Sequence, residues 1–337
     1  MILVTGGSGF LGGALVRALA ARGTKVRSVQ RRDVPGLRAL GVECVQADLS
    51  DRAAVERAFA GAEAVFHVAA RAGVWGTAQQ FWDANVVATE NVLAACRAHG
   101  VRKLVYTSTP SVVHSGGDIE GADESIPVPT QHHHPYPATK ARAEAAVLAA
   151  NGPEFSTVAL RPHLIWGPGD TQLTARVIDR ARRGRLRLVG GGLKKVDGLY
   201  IDNAVEGHLQ ALERLAPGAA CAGKAYFLAQ GEPVPQRELI NGMLAAAGLP
   251  PCDRSLSPRA AAAVGHVLEF TWTLLGLAGE PPLTAFVANQ LATAHWYDLS
   301  AARRDLGYAP RISKAEGLER LRQSLLAGDP PPAGAAR

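Results

Sequence analysis

The sequence predicts an α/β fold with a doubly wound parallel sheet and a smaller C-terminal domain, and three observations lead there. Short apolar runs alternate with helix-forming stretches as far as about residue 165. The first run ends in a cluster of glycines, and beyond Arg161-Pro162 the pattern loosens into segments punctuated by Gly and Pro. Repeated β-α units of that kind build a parallel sheet covered by helices on both faces.

Ile2 to Val4 is the first apolar run, and Ala14 to Ala21 follows as a stretch of helix formers that Gly23 stops. Lys25 to Gln30, Glu43 to Gln46, Ala64 to Val68, Lys103 to Thr107 and Thr157 to Leu160 read as further strands. Helices lie between them over stretches such as Ala53 to Phe59 and Ala84 to His99. Trp166-Gly-Pro-Gly169 and the triplet Gly190 to Gly192 open the second domain. Tyr200-Ile201-Asp202-Asn203 then leads the chain back, with Asp202 or Asn203 as N-cap of a helix over Ala204 to Leu215. The first domain is thus expected over 1–165 with a return segment near 196–228, and the second over 166–195 and 229–325. Residues 326–337 hold too little apolar surface to pack and read as a disordered tail.

With 337 residues, 47% of them hydrophobic, the chain can bury a sizeable core. Its net charge of +6 comes from arginines dispersed along the chain rather than gathered beside stacking aromatics, which excludes a nucleic-acid binder and favours an anionic small molecule. Cys44, Cys96, Cys221 and Cys252 lie far apart without metal or disulfide spacing, and the first residues carry no basic leader, so a reduced cytoplasmic protein is expected.

Gly6, Gly9 and Gly12 recur every third residue where the first strand meets its helix, and from Gly7 the stretch again reads G-x-G-x-x-G. Missing Cβ atoms let the backbone approach a pyrophosphate at a helix N-terminus, so the turn points to a dinucleotide. An acid at the end of the second strand holds the 2′-hydroxyl of NAD, whereas arginine neutralises the 2′-phosphate of NADP. Gln30-Arg31-Arg32 stands there, which favours NADP(H), with Asp33 as a displaced acid the competing reading. Asp48-Leu49, after the third strand, borders the adenine or supplies a cap to the next helix.

Tyr136 and Lys140 stand four residues apart in Tyr-Pro-Ala-Thr-Lys, on one face of a helix that starts there. An ammonium beside a phenol favours phenolate and readies it for proton transfer to a carbonyl oxygen; the alternative is an ordinary amphipathic helix face. Tyr106-Thr-Ser-Thr109 weights the first reading, because its hydroxyls sit at a strand end where doubly wound sheets place their ligands.

These three motifs resemble the extended short-chain dehydrogenase/reductases over nearly the whole chain. His67 to Gly76, Thr107 to Val112, Arg161 to Gly169 and Ala292 to Tyr297 resemble the 3β-hydroxysteroid dehydrogenase branch, and within it the bacterial 2-alkyl-3-oxoalkanoate reductases of long-chain olefin biosynthesis. The resemblance implies a Rossmann fold, Tyr136 as the acid-base group, and Lys140 as the residue that holds the nicotinamide ribose and lowers the tyrosine pKa. It gives Thr109 the hydroxyl position, with Ser108 and Ser111 as neighbours able to take it, and matches Asn85 to the family's helix asparagine. Phe10, Leu11, Ala69 and Pro162 join the glycines, Arg31, Arg32, Asp48, Leu49 and Lys140 as cofactor contacts.

The expected activity is NADPH-dependent reduction of the 3-ketone of a long-chain 2-alkyl-3-oxoalkanoate. A 3β-hydroxysteroid dehydrogenase, a nucleotide-sugar epimerase and a non-catalytic NADP(H) sensor are the alternatives. The partners expected with it are a hydrophobic carbonyl or hydroxyl substrate, enzymes of the same pathway, a second copy in a homodimer and a peripheral membrane contact. His132-His133-His134 reads as a solvated loop rather than a metal site. The arginines from Arg180 to Arg187 read as a solvated basic face. The apolar segment Ala260 to Leu277 reads as core or lid, or as an interfacial helix.

Overall fold

A computed structural model describes residues 1–328. Seven strands form the main sheet: β1 (Ile2–Thr5), β2 (Val26–Gln30), β3 (Glu43–Gln46), β4 (Ala64–His67), β5 (Lys103–Thr107), β6 (Ser156–Pro162) and β7 (Lys224–Leu228), in the order β7-β6-β5-β4-β1-β2-β3. Every pairing is parallel. The expected doubly wound sheet is therefore present, and β7 arrives from the return segment. All seven residues of β6 are buried, as befits a strand covered on both faces. The chain reverses direction across the sheet between β1 and β4, and the crevice beyond their C-terminal ends is where such a sheet receives a ligand.

Helices α1 (Phe10–Ala21), α2 (Arg52–Phe59), α3 (Ala88–Ala98) and α4 (Pro135–Ala149) cover the sheet. The helix expected from Ala84 begins earlier, at Ala78, because Thr77 and Gln80 form a reciprocal capping box. It passes through a π-helical turn at Asp83–Val87 before becoming α3. A smaller four-stranded sheet joins Ile119–Ala122, Lys195–Val196, Val234–Pro235 and His295–Tyr297. Its first strand comes from inside the stretch read as the first domain, so the two sheets share the chain more intimately than the sequence suggested.

Helix α5 (Ile201–Arg214) starts at its first apolar residue, and neither Asp202 nor Asn203 caps it. Asn203 faces inward instead. Its Nδ2 donates to the Ile312 carbonyl at 2.8 Å and to Gln230 Oε1 at 3.0 Å, while its Oδ1 accepts the N–H groups of Arg311 and Ile312. One amide thereby clasps the C-terminal segment to α5. The last helix runs to Ala327, two residues into the predicted tail, and 329–337 lie outside the described residues.

Helix α6 (Pro258–Leu275) is not core: only Ala261 and Gly265 are buried. It packs through that small face on α7 (Ala285–Ala292), so closely that a Cβ on Gly265 would lie 2.6 Å from the Ala285 nitrogen.

Asn203→Ala takes the acceptor from the Arg311 and Ile312 N–H groups and a donor from Gln230 Oε1, while Gln230 Nε2 still reaches the Ile312 carbonyl, and should lower the unfolding free energy by about 1 to 2 kcal/mol with an unchanged denaturant slope. Urea titration measures this. A loss below about 0.5 kcal/mol would show that the clasp contributes nothing.

Candidate active site

Gly6 ends β1 with φ of +77°, and a Cβ there would lie 2.9 Å from the Ala69 backbone at the end of β4. A Cβ on Gly12 would lie 2.2 Å from the Gly6 carbonyl oxygen, so α1 rests directly on the turn. Gly9 is the N-cap of α1, which has no side-chain cap, and Phe10 and Leu11 form its first turn. The first N–H groups of α1 thus open onto a backbone cradle without side chains, the arrangement that holds a pyrophosphate.

At the end of β2, Gln30 is buried against the same turn. Its Oε1 accepts the Ser28 hydroxyl and lies beside Gly7, and its Nε2 is a buried donor with no hydrogen-bond partner in the protein. Arg31 and Arg32 are exposed just beyond. Asp33 is committed elsewhere: it accepts the Val34 N–H and pairs with Arg38 at 3.0 Å. Asp48 does not cap α2. It folds an Asx turn on Ser50, which together with the nearby Arg31 holds its carboxyl below the usual range, while Asp51 takes the Ala53 and Ala54 N–H groups as the cap. Leu49 is buried beside it. Cradle, orphan donor and arginine pair together fit a dinucleotide.

Tyr136 lies in the first turn of α4, half-buried, with Phe81 nearby. His134 accepts the Tyr136 N–H at 3.1 Å and stacks on Phe286 of α7, so this histidine is a helix cap under a roof rather than part of a solvated loop. Burial raises the Tyr136 phenol above its ordinary value, and a hydrogen bond with Thr109 pulls the other way. The lowering expected from Lys140 is absent, because that ammonium is engaged elsewhere. It donates to the Thr107 carbonyl at 2.6 Å, lies 4.1 Å from the Tyr106 ring centroid, and is lowered by burial to about 7.

Among the neighbouring hydroxyls, Thr109 is the one that bears on the Tyr136 phenol. Its own oxygen also accepts the Ser111 N–H and contacts Ser111 Oγ at 3.2 Å, whereas the Ser108 hydroxyl is buried without a partner. Pro162 ends β6, buried and paired with Leu228, on the same edge of the sheet as Thr109.

Sequence reasoning missed the buried polar wiring beneath these residues. The Thr5 hydroxyl accepts the N–H groups of Val68 and Ala69, so its proton goes to His67 Nδ1 at 2.8 Å; His67 Nε2–H then donates to Thr89, which donates to the Asn85 carbonyl. His67 is thus neutral, and burial holds its pKa down at about 3. The Asn85 side chain is neither solvated nor a cap. It accepts the Arg71 N–H at 2.8 Å and donates to Thr139 at 3.0 Å, between Tyr136 and Lys140 on α4. A buried Arg161–Glu144 pair joins α4 to β6.

His163 and His295 link the two sheets by a 2.8 Å contact between their rings. Their outer nitrogens face the carbonyls of Asp197 and Gln290, each at 2.8 Å. Two neutral rings hold two N–H groups for three such contacts, so one contact stays unsatisfied without an extra proton. Among the described residues no three His, Cys, Asp or Glu side chains gather at metal-binding distance.

Sheet, cradle and side chains define an oxidoreductase that works with a nicotinamide cofactor. Residues 3–256 match the model of the 3-beta hydroxysteroid dehydrogenase/isomerase family, and the chain belongs to that family. It is 56% identical to a 2-alkyl-3-oxoalkanoate reductase of Stenotrophomonas maltophilia, over 97% of this chain and 99% of the relative. It is 46% identical to a Shewanella oneidensis protein of the same name, over 96% of this chain and 85% of that one. Among solved structures, that of MoeE5 in complex with UDP-glucose and NAD superposes with a TM-score of 0.74 at 25% identity, covering 97% of this chain and 99% of that one.

Burial keeps His67 and His163 near pKa 3 and His208 near 4, against about 6.5 in an unfolded chain. The unfolded state therefore takes up protons first as pH falls, and the stability present above pH 6.5 is lost down to the folded values. Each histidine adds a slope of up to about 1.4 kcal/mol per pH unit. Urea midpoints between pH 7 and 4 should fall steeply in the wild type and less steeply in His67→Gln; parallel profiles would refute the neutral buried ring.

Proposed function

We propose that the protein reduces the 3-ketone of a long-chain 2-alkyl-3-oxoalkanoate to the 3-hydroxy acid, with NADPH as reductant. The observation that carries the chemistry is Tyr136 in the first turn of α4 with buried Lys140 one turn further along, tied by its amine to the Thr107 carbonyl at the end of β5. The two reductases named above, which match almost the full chain, support the substrate class.

When bound, the reduced nicotinamide supplies a hydride to the carbonyl carbon. Gly6, Gly9 and Gly12 would hold its pyrophosphate with the first turn of α1, Phe10 and Leu11, while Asp48, Leu49, Ala69 and Pro162 would line the remainder. Tyr136 donates the proton to the carbonyl oxygen. Burial suits that role, because a phenol held above its usual pKa remains protonated at neutral pH. Thr109 orients the oxygen, and Lys140 holds the nicotinamide ribose. Asn85 acts at one remove, fixing the Arg71 loop to α4. The four unpaired cysteines accord with a reducing, cytoplasmic setting.

Arg31 and Arg32 are exposed just past the end of β2, and Asp33 is drawn off by Arg38, which supports NADPH over NADH.

Tyr136→Phe should lower kcat about 10²-fold or more and leave dinucleotide binding within about twofold. Assays with a panel of 3-ketoacids and 3β-hydroxysteroids, followed by nicotinamide absorbance, test both role and substrate. Turnover on steroids alone would overturn the substrate, and full activity in the variant would remove Tyr136 as donor.

Replacing Arg31 and Arg32 together by Ala should raise the KM for NADPH about tenfold or more and barely change that for NADH. A wild type that prefers NADH would refute the assignment.

A further inference from the structure

The outer face of α6 is unlike the rest of the surface. Val264, Val267, Phe270 and Leu274 follow one another at helical spacing, and Leu275 and Leu277 extend the row; Phe270 is 67% exposed and Leu274 68%. Glu269 is the one acid between Arg259 and Leu277, and it is turned inward, where its Oε1 accepts the Ala285 N–H at 3.0 Å. The inner face is spent on α7, through Ala261 and Gly265.

Arginines gather at the N-terminal end of this row. Arg259 is exposed in the first turn of α6, four residues before Ala263 and eight before Val267, hence on the apolar side. Ser255–Leu256 pairs with Leu188–Val189, which brings Arg254 beside the run that contains the exposed Arg185; Asp253 is the only acid in that stretch of chain.

We infer that α6 docks on an anionic lipid bilayer, lying in the interface plane with its aliphatic and aromatic side chains in the acyl boundary and the arginines on headgroup phosphates. Charge decides between occupants. A second copy laid over the same face brings its own arginines into an already basic neighbourhood, whereas anionic headgroups complement them. No helix among the described residues is long and apolar enough to cross a membrane, so the contact is with the surface. The docking helix is linked to the candidate site through α7, whose Phe286 stacks on His134 two residues before Tyr136, with ring centroids 4.5 Å apart.

The full chain is mixed with vesicles of phosphatidylcholine alone or of phosphatidylcholine with phosphatidylglycerol, and sedimented. The wild type should sediment with the anionic vesicles, less with the neutral ones, and less as salt screens the arginines. Phe270→Asp with Leu274→Asp should cut the bound fraction about tenfold or more, at positions exposed enough to leave thermal unfolding unchanged. Arg254→Glu with Arg259→Glu should abolish the preference for anionic vesicles, and this variant keeps the test sound if the first fails to fold. A wild type that stays in the supernatant with both vesicles, or variants that sediment like it, would overturn the inference. Self-association that the Asp variant abolishes, without vesicle binding, assigns the face to a second copy and overturns it equally. Enzymatic turnover enters none of these readings.

Discussion

The approach of α1 to β1 and β4 sets the rest of the molecule. No side chain separates Gly12 from the Gly6 carbonyl, or Gly6 from the Ala69 backbone, and the switch point of the sheet lies at this contact. An added methyl group would push the helix off the strand and tilt its first N–H groups away from the crevice. The cradle is therefore a property of the backbone, and everything beyond it is positioned from the strand ends that the contact aligns.

From there a series of buried hydrogen bonds runs to the site. Thr5, His67, Thr89, Asn85 and Thr139 form an unbroken series from β1 to the helix that carries Tyr136 and Lys140. Each member has its partner, so the series costs little to bury and fixes the register of α4 against β4. The His163–His295 contact between the sheets is different. It lacks one proton for full satisfaction while burial lowers the affinity for that proton, so this contact between the two sheets is left under-satisfied.

The electrostatics of Tyr136 and Lys140 follow from the same burial. Both groups are pushed toward their neutral forms, the phenol protonated and the amine lowered to about 7. The Thr107 carbonyl and the Tyr106 ring hold the amine away from the phenol, so in this state of the protein the two residues are coupled by their shared helix and not by direct contact.

The strands, the glycine turn, the Tyr136–Lys140 spacing and the arginines after β2 were all legible in the sequence, because each is a local pattern in which residue type and spacing dictate backbone form or chemistry. The helix start at Ala78 is legible too, in the Thr77–Gln80 box. The structure alone decided that Asp51 rather than Asp48 caps α2, and that Asn203 clasps Ile312 instead of capping α5. It also set Ile119–Ala122 in the second sheet and turned the apolar side of α6 outward. These outcomes depend on partners distant in the chain, and a side chain's hydrogen bonds and burial are settled by what folding brings beside it, which local spacing does not encode.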